Sequence, residues 1–447
     1  MPATPLVSLQ APKDVSIDDI DRELREIWLM YSQGGDDGAI ASRATTFSFL
    51  IYEPDGTQQL LAALGFYTGP VDAIAGPRTT AAIKAAQKAY GFEETGKATS
   101  QLLEKLQSEF AATKERNAMQ FAPDGSGATV ADAIASANPC RIVTLCPTVG
   151  EDEGVSAQVS AYCPINKRSS SNLVCCEYIT LKGTAEALER IGGVISALLI
   201  PDLPKFIWWK ATPAPDYPLF QRLTQSCDSL IVDSSTFNDT ERDLQVLGEL
   251  LSQGKAVADL NWRRISAWQE LAAEAYDPPE RRAGIWAVDR VTIDYEQGNP
   301  AQALMYLGWL ASRLQWQPVS YTHEGGDYDI RRIQFIGQEN QTVEAELAGI
   351  PTADWGDIPG DTISLKLAST NPKADAGTVL CSETTGCMRM EAGGGAQSYR
   401  IQQVTSLLDQ KTEDLLAQQL RRWGREMLYE ESMNVTYQIL KLATLEE

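Results

Sequence analysis

The sequence is short of the residues that carry most enzyme chemistry. It holds one histidine, His323 in "YTHEGGDYD", so a Ser-His-Asp or Cys-His site has a single imidazole to draw on. No G-x-S-x-G elbow supplies a nucleophile. There is no C-x-x-C pair and no second histidine, which excludes the usual zinc sites. "GELLSQGK", Gly248 to Lys255, is one residue too long for a phosphate loop and lies in a helical pattern. "GSGATV" lacks the third glycine of a dinucleotide fingerprint. Basic runs are missing too, and a formal net charge of −22 argues against a nucleic-acid partner. No apolar stretch reaches the roughly 18 residues that span a bilayer, and the longest, "IGGVISALLIPDLP", is broken by Pro201. The N-terminus "MPATPLVSLQAPKDVSIDDI" has no charged region leading into an apolar one, so it does not read as a signal peptide. Together these absences predict a cytoplasmic protein with no membrane partner, no cofactor and no metal. Its eight cysteines then read as reduced thiols or a regulated pair, not as a disulfide framework.

With 447 residues, 43% of them hydrophobic and 22% charged, the chain is long enough for roughly three globular domains. Residues 1–57 are Pro-rich at first and then helical, with Ile17, Ile20, Leu24 and Ile27 at helical spacing in "VSIDDIDRELREIWLMY". Residues 58–108 contain three short helices: "QQLLAALGF", stopped by Gly65, the Ala-rich "RTTAAIKAAQKAYG", and "TSQLLEKLQ". With Asp72, Gly76-Pro77 and Thr80 in order, this segment resembles the three-helix peptidoglycan-binding-like domain. Wall binding would require export, so the resemblance implies a helical domain recruited for protein contact or spacing. Residues 109–135 read as a linker.

From 136 to 277 the texture alternates. "RIVTLCP", "VSAQVSAYCPI", "VCCEYITLKG", "KFIWWKA" and "SLIVDSS" have strand length, and helical patterns such as "AEALERIGGVISALL" lie between several of them. That alternation predicts a mainly parallel sheet covered by helices. Residues 278–447 begin with a strand and a helix, continue through "YDIRRIQFIG", "TVEAELAG", "TISLKLAS" and "GTVLCSETTGCMRMEA", and end in long helix. They predict an α+β domain with antiparallel strands. The fold class is therefore multidomain α/β and α+β.

Two aromatic features could serve folding or docking. Trp208 and Trp209 in "PKFIWWKATPAP" fall on opposite faces of an edge or end strand. Trp262 and Trp268 flank Arg263 and Arg264 in "VADLNWRRISAWQELA". Packing between sheet and helices is the plainer reading of the tryptophans, and anchoring a partner is the other.

Together, "PKFIWWK", "DSLIVDSS", "ADLNWRRISAWQELAAEAYD" and "LGWLASRLQW" resemble the glucose-6-phosphate dehydrogenase assembly protein family, OpcA, from about residue 130 to the C-terminus. The most specific part is D-L-x-W-x-R-x-x-x-W, Asp259 to Trp268, and the helical insert ahead of it matches the cyanobacterial branch. The resemblance implies a non-catalytic activator that binds the glucose-6-phosphate dehydrogenase oligomer and answers to redox state through thioredoxin. Candidate partner contacts are then Trp208, Trp209, Asp259, Trp262, Arg263 and Trp268. The expected redox pair is Cys381 and Cys387, which flank "SETTG" between two strand-like runs. A hairpin there would bring their Cα atoms towards the roughly 4.4–6.8 Å of a disulfide. The competing readings are a sugar- or nucleotide-using α/β enzyme and a cell-wall-binding accessory protein.

Overall fold

A computed structural model describes residues 6–32, 40–43, 45–68, 71, 76–116, 140–164, 172–279, 281–351, 358, 360–371, 374, 378–383, 387–392, 401–406 and 412–443. The chain divides into two compact units. The first comprises Met1–Asn117, Ala122–Val232 and Thr412–Trp423, and the second Ala118–Phe121, Asp233–Lys411 and Gly424–Glu447.

The first unit runs β1 (Leu6–Val15), α1 (Ile20–Ser32), β2 (Ile40–Arg43), β3 (Ser48–Tyr52), α2 (Thr57–Ala63), α3 (Pro77–Ala89), α4 (Ser100–Arg116), β4 (Arg141–Thr148), β5 (Ser156–Pro164), β6 (Asn172–Thr184), α5 (Ala185–Arg190), α6 (Gly192–Leu198), β7 (Lys205–Trp209), α7 (Pro218–Ser226) and β8 (Ser229–Val232). Within this unit the strand order is β1-β5-β6-β4-β3-β7-β8, with β2 pairing β6 off that path. β3 pairs β4 and β7 in parallel, as β4 does β6 and β7 does β8. β5 and β1 add an antiparallel edge. Leaving aside the short β2, the parallel strands follow the 3-2-1-4-5 order of doubly wound sheets. All five residues of β3, Ser-Phe-Leu-Ile-Tyr, are buried, as a parallel strand covered on both faces requires.

Residues 1–57, expected to be helical, instead supply β1, β2 and β3 as well as α1. β3 stands in the middle of the sheet, so the three-helix module enters between two adjacent parallel strands. Only residues 53–56 separate β3 from α2, and no linker precedes the module. On its other side α4 continues into the predicted linker as far as Arg116, and residues 117–139 lie outside the described ones. Leu61, Tyr67, Ala82, Ile83, Ala86, Leu102 and Leu106 form the module's core. Pro77 opens α3, where its missing N–H costs nothing, and Thr80 Oγ1 donates to the Gly76 carbonyl at 3.2 Å. Asp72 lies outside the described residues. β7 is no edge strand: it lies between β3 and β8, and tryptophans on both faces are buried because both faces are covered.

The second unit contains α8 (Thr240–Ser252), β9 (Val257–Asp259), α9 (Leu260–Arg264), α10 (Ser266–Tyr276), β10 (Arg290–Glu296), α11 (Ala301–Leu314), β11 (Gln317–Gly325), β12 (Ile330–Ile336), β13 (Thr342–Ile350), β14 (Thr362–Ala368), β15 (Thr378–Glu383), β16 (Cys387–Ala392) and β17 (Ile401–Ser406). α12 (Thr412–Gln419) belongs to the first unit, and α13 (Met427–Ala443) closes the second. The sheet order is β11-β12-β13-β10-β14-β15-β16-β17, antiparallel except for the parallel pair β10–β13. Alternation sets its faces. Arg331, Ile333 and Phe335 of β12 are buried, while Arg332 and Gln334 are exposed. α11 and α13 pack closely at Gly308, where a Cβ would sit 2.3 Å from Thr436 Oγ1. The fold is thus the expected α/β and α+β combination. Residues 233–277, assigned by sequence to the α/β domain, group with the second unit, because α8 and α9 pack on α11 and α8 also on α13.

Candidate functional site

Doubly wound sheets hold ligands outside the carboxyl ends of their strands, where the strand order reverses. Here that point lies between β3 and β7. The turn leaving β3 is Glu53-Pro54-Asp55-Gly56, two carboxylates where a nucleotide-binding turn presents glycine amides to phosphate. Glu53 accepts from Lys210 Nζ at 2.9 Å. Asp55 is used internally, its Oδ1 accepting from Thr57 N at 2.9 Å and its Oδ2 from Val149 N at 3.3 Å. Cys146, at the end of β4, is pushed up to about 11 by burial and then by the Glu53 charge, which keeps its thiol protonated and weakly nucleophilic. Trp208 and Trp209 are each 1% exposed. Trp209 stacks on Tyr52 at 3.7 Å between centroids and donates its indole N–H to the Thr212 carbonyl at 3.0 Å. The Lys210 ammonium lies 4.7 Å from the centre of a Trp208 ring.

In the second unit the D-L-x-W-x-R stretch forms a buried polar knot. Asp259 caps α9: its Oδ1 accepts from Asn261 N at 2.9 Å and from Ser234 N at 3.0 Å. Its Oδ2 has no partner, and burial, with the nearby Asp233 charge, raises this carboxyl to about 6. Arg264 grips both oxygens of Asp233, Nη1 to Oδ1 at 2.7 Å and Nη2 to Oδ2 at 2.8 Å. Burial works against the Asp233 charge, but the Arg264 guanidinium and the bonds from Ser235 outweigh it and hold the carboxyl below its usual range. Asn299 Nδ2 donates to the carbonyls of Ser234 and Ser235 at 2.9 and 3.0 Å. Gln302 Nε2 bonds Asn261 Oδ1 at 3.0 Å and Asp361 Oδ1 at 2.6 Å. Trp262 and Arg263 both reach Glu426, at 3.0 and 2.6 Å. Trp268 is 2% exposed and its carbonyl accepts from Tyr306.

The six residues offered as partner contacts are therefore buried in their own units: Trp208 and Trp209 in the first, Asp259, Trp262, Arg263 and Trp268 in the second. Their burial favours the folding reading over docking. Arg263, a type that is rarely buried unless paired, is here both buried and paired. Sequence reasoning missed Asp233, Asn299 and Gln302. The available signal was a polar residue in an apolar run, as Gln302 is in "PAQALMY".

Cys381 and Cys387 lie on neighbouring antiparallel strands, and their side chains lie outside the described ones. Cys381 is registered opposite Arg389, and Cys387 opposite Glu383. The cysteines are thus diagonal neighbours, two positions out of opposition, a spacing of roughly 7–8 Å in a sheet. His323 Nε2 lies 2.7 Å from Asp329 Oδ1 on an exposed part of β11. Asp329 Oδ2 in turn accepts from the buried Arg331, whose Nε reaches Glu241. Among the described residues there is no group of metal-binding side chains and no helix long and apolar enough to cross a membrane.

A doubly wound sheet with an acidic turn at its switch point, an inserted three-helix module and a second, mainly antiparallel unit define a multidomain α/β and α+β protein. Residues 57–106 match the family described as "Putative peptidoglycan binding domain". Residues 131–249 and 255–433 match the families described as "Glucose-6-phosphate dehydrogenase subunit N-terminal domain" and "C-terminal domain". Two relatives are each called "Putative OxPP cycle protein OpcA". That of a Synechocystis species is 59% identical, over 99% of this chain and 94% of its own length. That of Nostoc punctiforme is 61% identical, over 98% and 96%. The chain belongs to the OpcA family. Solved structures with some likeness include an aldose-aldose oxidoreductase from Caulobacter crescentus, with 14% identity, 60% of this chain and 83% of that one covered, and a TM-score of 0.36. An oxidoreductase from Sinorhizobium meliloti gives 9%, 58%, 82% and 0.37.

Proposed function

We propose that this protein is a cytoplasmic, non-catalytic activator that binds glucose-6-phosphate dehydrogenase, promotes its active oligomer and lowers its apparent KM for glucose 6-phosphate. The observation that carries this reading is the match of two consecutive stretches, most of the chain, to domains described as dehydrogenase subunit domains. The acidic turn after β3 supports a non-catalytic role, since it offers carboxylates at the usual seat of a phosphate. An effector shifts a conformational equilibrium only through differential affinity. A tenfold fall in KM therefore asks the protein to favour the high-affinity dehydrogenase conformation by about 1.4 kcal/mol. Titration of the pure protein into the cognate dehydrogenase should move the glucose 6-phosphate saturation curve to lower concentration, with no turnover by the protein alone. An unmoved curve together with no complex on size exclusion removes this reading. Turnover by the protein alone would favour a sugar- or nucleotide-using enzyme, for which the strand order is the support.

The same reading makes Cys381 and Cys387 the redox pair. A two-residue slip of β16 along β15 sets them opposite one another and keeps every residue on its own face. Oxidation forms the S–S bond as two thiols give up two electrons and two protons to the disulfide of oxidised thioredoxin, and reduction reverses the exchange. Activation should be higher with the pair oxidised. The Cys381→Ser, Cys387→Ser double variant should activate equally after oxidation and after reduction, whereas a variant that still switches as the parent does excludes the pair.

A further inference from the structure

The inserted helical module is fastened to the ends of three neighbouring strands. Val71 donates its backbone N–H to Thr212 Oγ1 at 3.2 Å, and the Thr212 N–H returns a bond to the Val71 carbonyl at 2.9 Å. The Thr212 carbonyl also holds the Trp209 indole at 3.0 Å, so one threonine ties the module to the aromatic stack on Tyr52. Val149, the first residue after β4, is 4% exposed and buried in the module's own core beside Leu61, Tyr67 and Ile83. Its N–H goes to Asp55 Oδ2, while Asp55 Oδ1 takes the N–H of Thr57, the first residue of α2. Lys97 and Glu151 close the outer side as an ion pair. Asp55, Val149 and Thr212 each follow the carboxyl end of a parallel strand, β3, β4 and β7, and these three strands are adjacent.

We infer that the module is an internal clamp: it occupies the carboxyl edge of the doubly wound sheet, where such sheets seat a ligand, and locks the three strand ends into one cooperative unit. An appended domain joined by linkers shares few contacts with its neighbour and opens independently. This module shares a core residue, Val149, with the β4 end of the sheet and reaches the β7 end through the paired Val71–Thr212 bonds, while Asp55 at its entry takes the Val149 N–H. Both backbone polar groups of Val71, between α2 and α3, are spent on its own sheet. Its role is architectural, whatever partner the whole protein binds.

Hydrogen exchange on the full chain tests this. In the parent, amides of α2–α4 and of residues 145–151 and 210–212 should share their slowest opening rate, as members of one unit do. Val149→Asp places a charge in the module's core from the sheet side and should speed exchange in both regions together by about tenfold or more. Thr212→Val leaves the Val71 N–H without its acceptor and should speed both by about threefold to tenfold, while Val149→Ile should leave them unchanged. If Val149→Asp does not fold, the parent pattern and Thr212→Val decide. A module that exchanges faster than the strand ends in the parent, or substitutions that speed the module alone, overturn the inference.

Discussion

Arg264→Ala should cost the second unit about 3–5 kcal/mol, the usual penalty for leaving a buried charge without its partner. The Arg264 and Asp233 side chains are only 5% and 8% exposed, so water cannot take over from the guanidinium. The substitution strands Asp233 beside Asp259, whose Oδ2 already has no hydrogen-bond partner, and leaves two buried carboxylates without that guanidinium. Urea unfolding at pH 7 should show a lower midpoint, and Arg264→Lys should fall between parent and alanine because it keeps the charge but loses the two-pronged grip. Acid should narrow the gap. In the parent the Asp233 carboxyl is held below its usual range, so its contribution is present above the unfolded pKa and is lost only as pH falls through the lower folded value. In the alanine variant the buried carboxyls favour their protonated forms, and stability returns as the pH is lowered. An unfolding free energy within about 0.5 kcal/mol of the parent's, the range of an ordinary surface change, would falsify the buried-pair account.

Some of this arrangement was legible in the sequence. The module announced itself through Gly65, Gly76-Pro77 and the small-residue face of "RTTAAIKAAQKA", because helix stops and periodicity are local signals. The alternation of strands and helices likewise gave the sheet types. β1 was not legible, since "LVSLQAPKDV" contains a proline that reads as loop. The strand tolerates it because, among the described residues, β1 pairs β5 alone, and the register shifts between Gln10 and Lys13, where Pro12 sits. The polar knot was hidden for a different reason. Asp233, Arg264 and Gln302 are far apart in the chain, and residue type reveals the cost of burial but not the partner that offsets it. Spacing also left the cysteine hairpin open. A five-residue loop would set Cys381 opposite Cys387, but Glu383 pairs with Cys387 and the loop is two residues tighter.

Asp243→Asn should stabilise the protein at pH 8 and do little or the reverse at pH 4. Asp243 lies in the first turn of α8, 2% exposed, and its Oδ2 has no hydrogen-bond partner. Burial, then the neighbouring Asp239 charge, raises its carboxyl from the ordinary 3.8 to about 7, with the Arg242 charge and a backbone hydrogen bond at Asp239 pulling the other way. Because the folded pKa is the higher one, the folded state binds the proton more tightly. Its contribution is complete below about pH 4 and drains away as pH rises to about 7. A rise of that size corresponds to about 4 kcal/mol across the window. Asparagine keeps the shape and carries no charge, so its stability curve should lack this fall and cross the parent's between pH 4 and 8. Asp259, at about 6, steepens the parent's decline over the lower part of the same range and does so equally in the variant. The difference between the two curves therefore isolates Asp243. Parallel curves from pH 4 to 8 would mean that the carboxyl is ionised throughout and that α8 holds a buried charge with one oxygen unbonded.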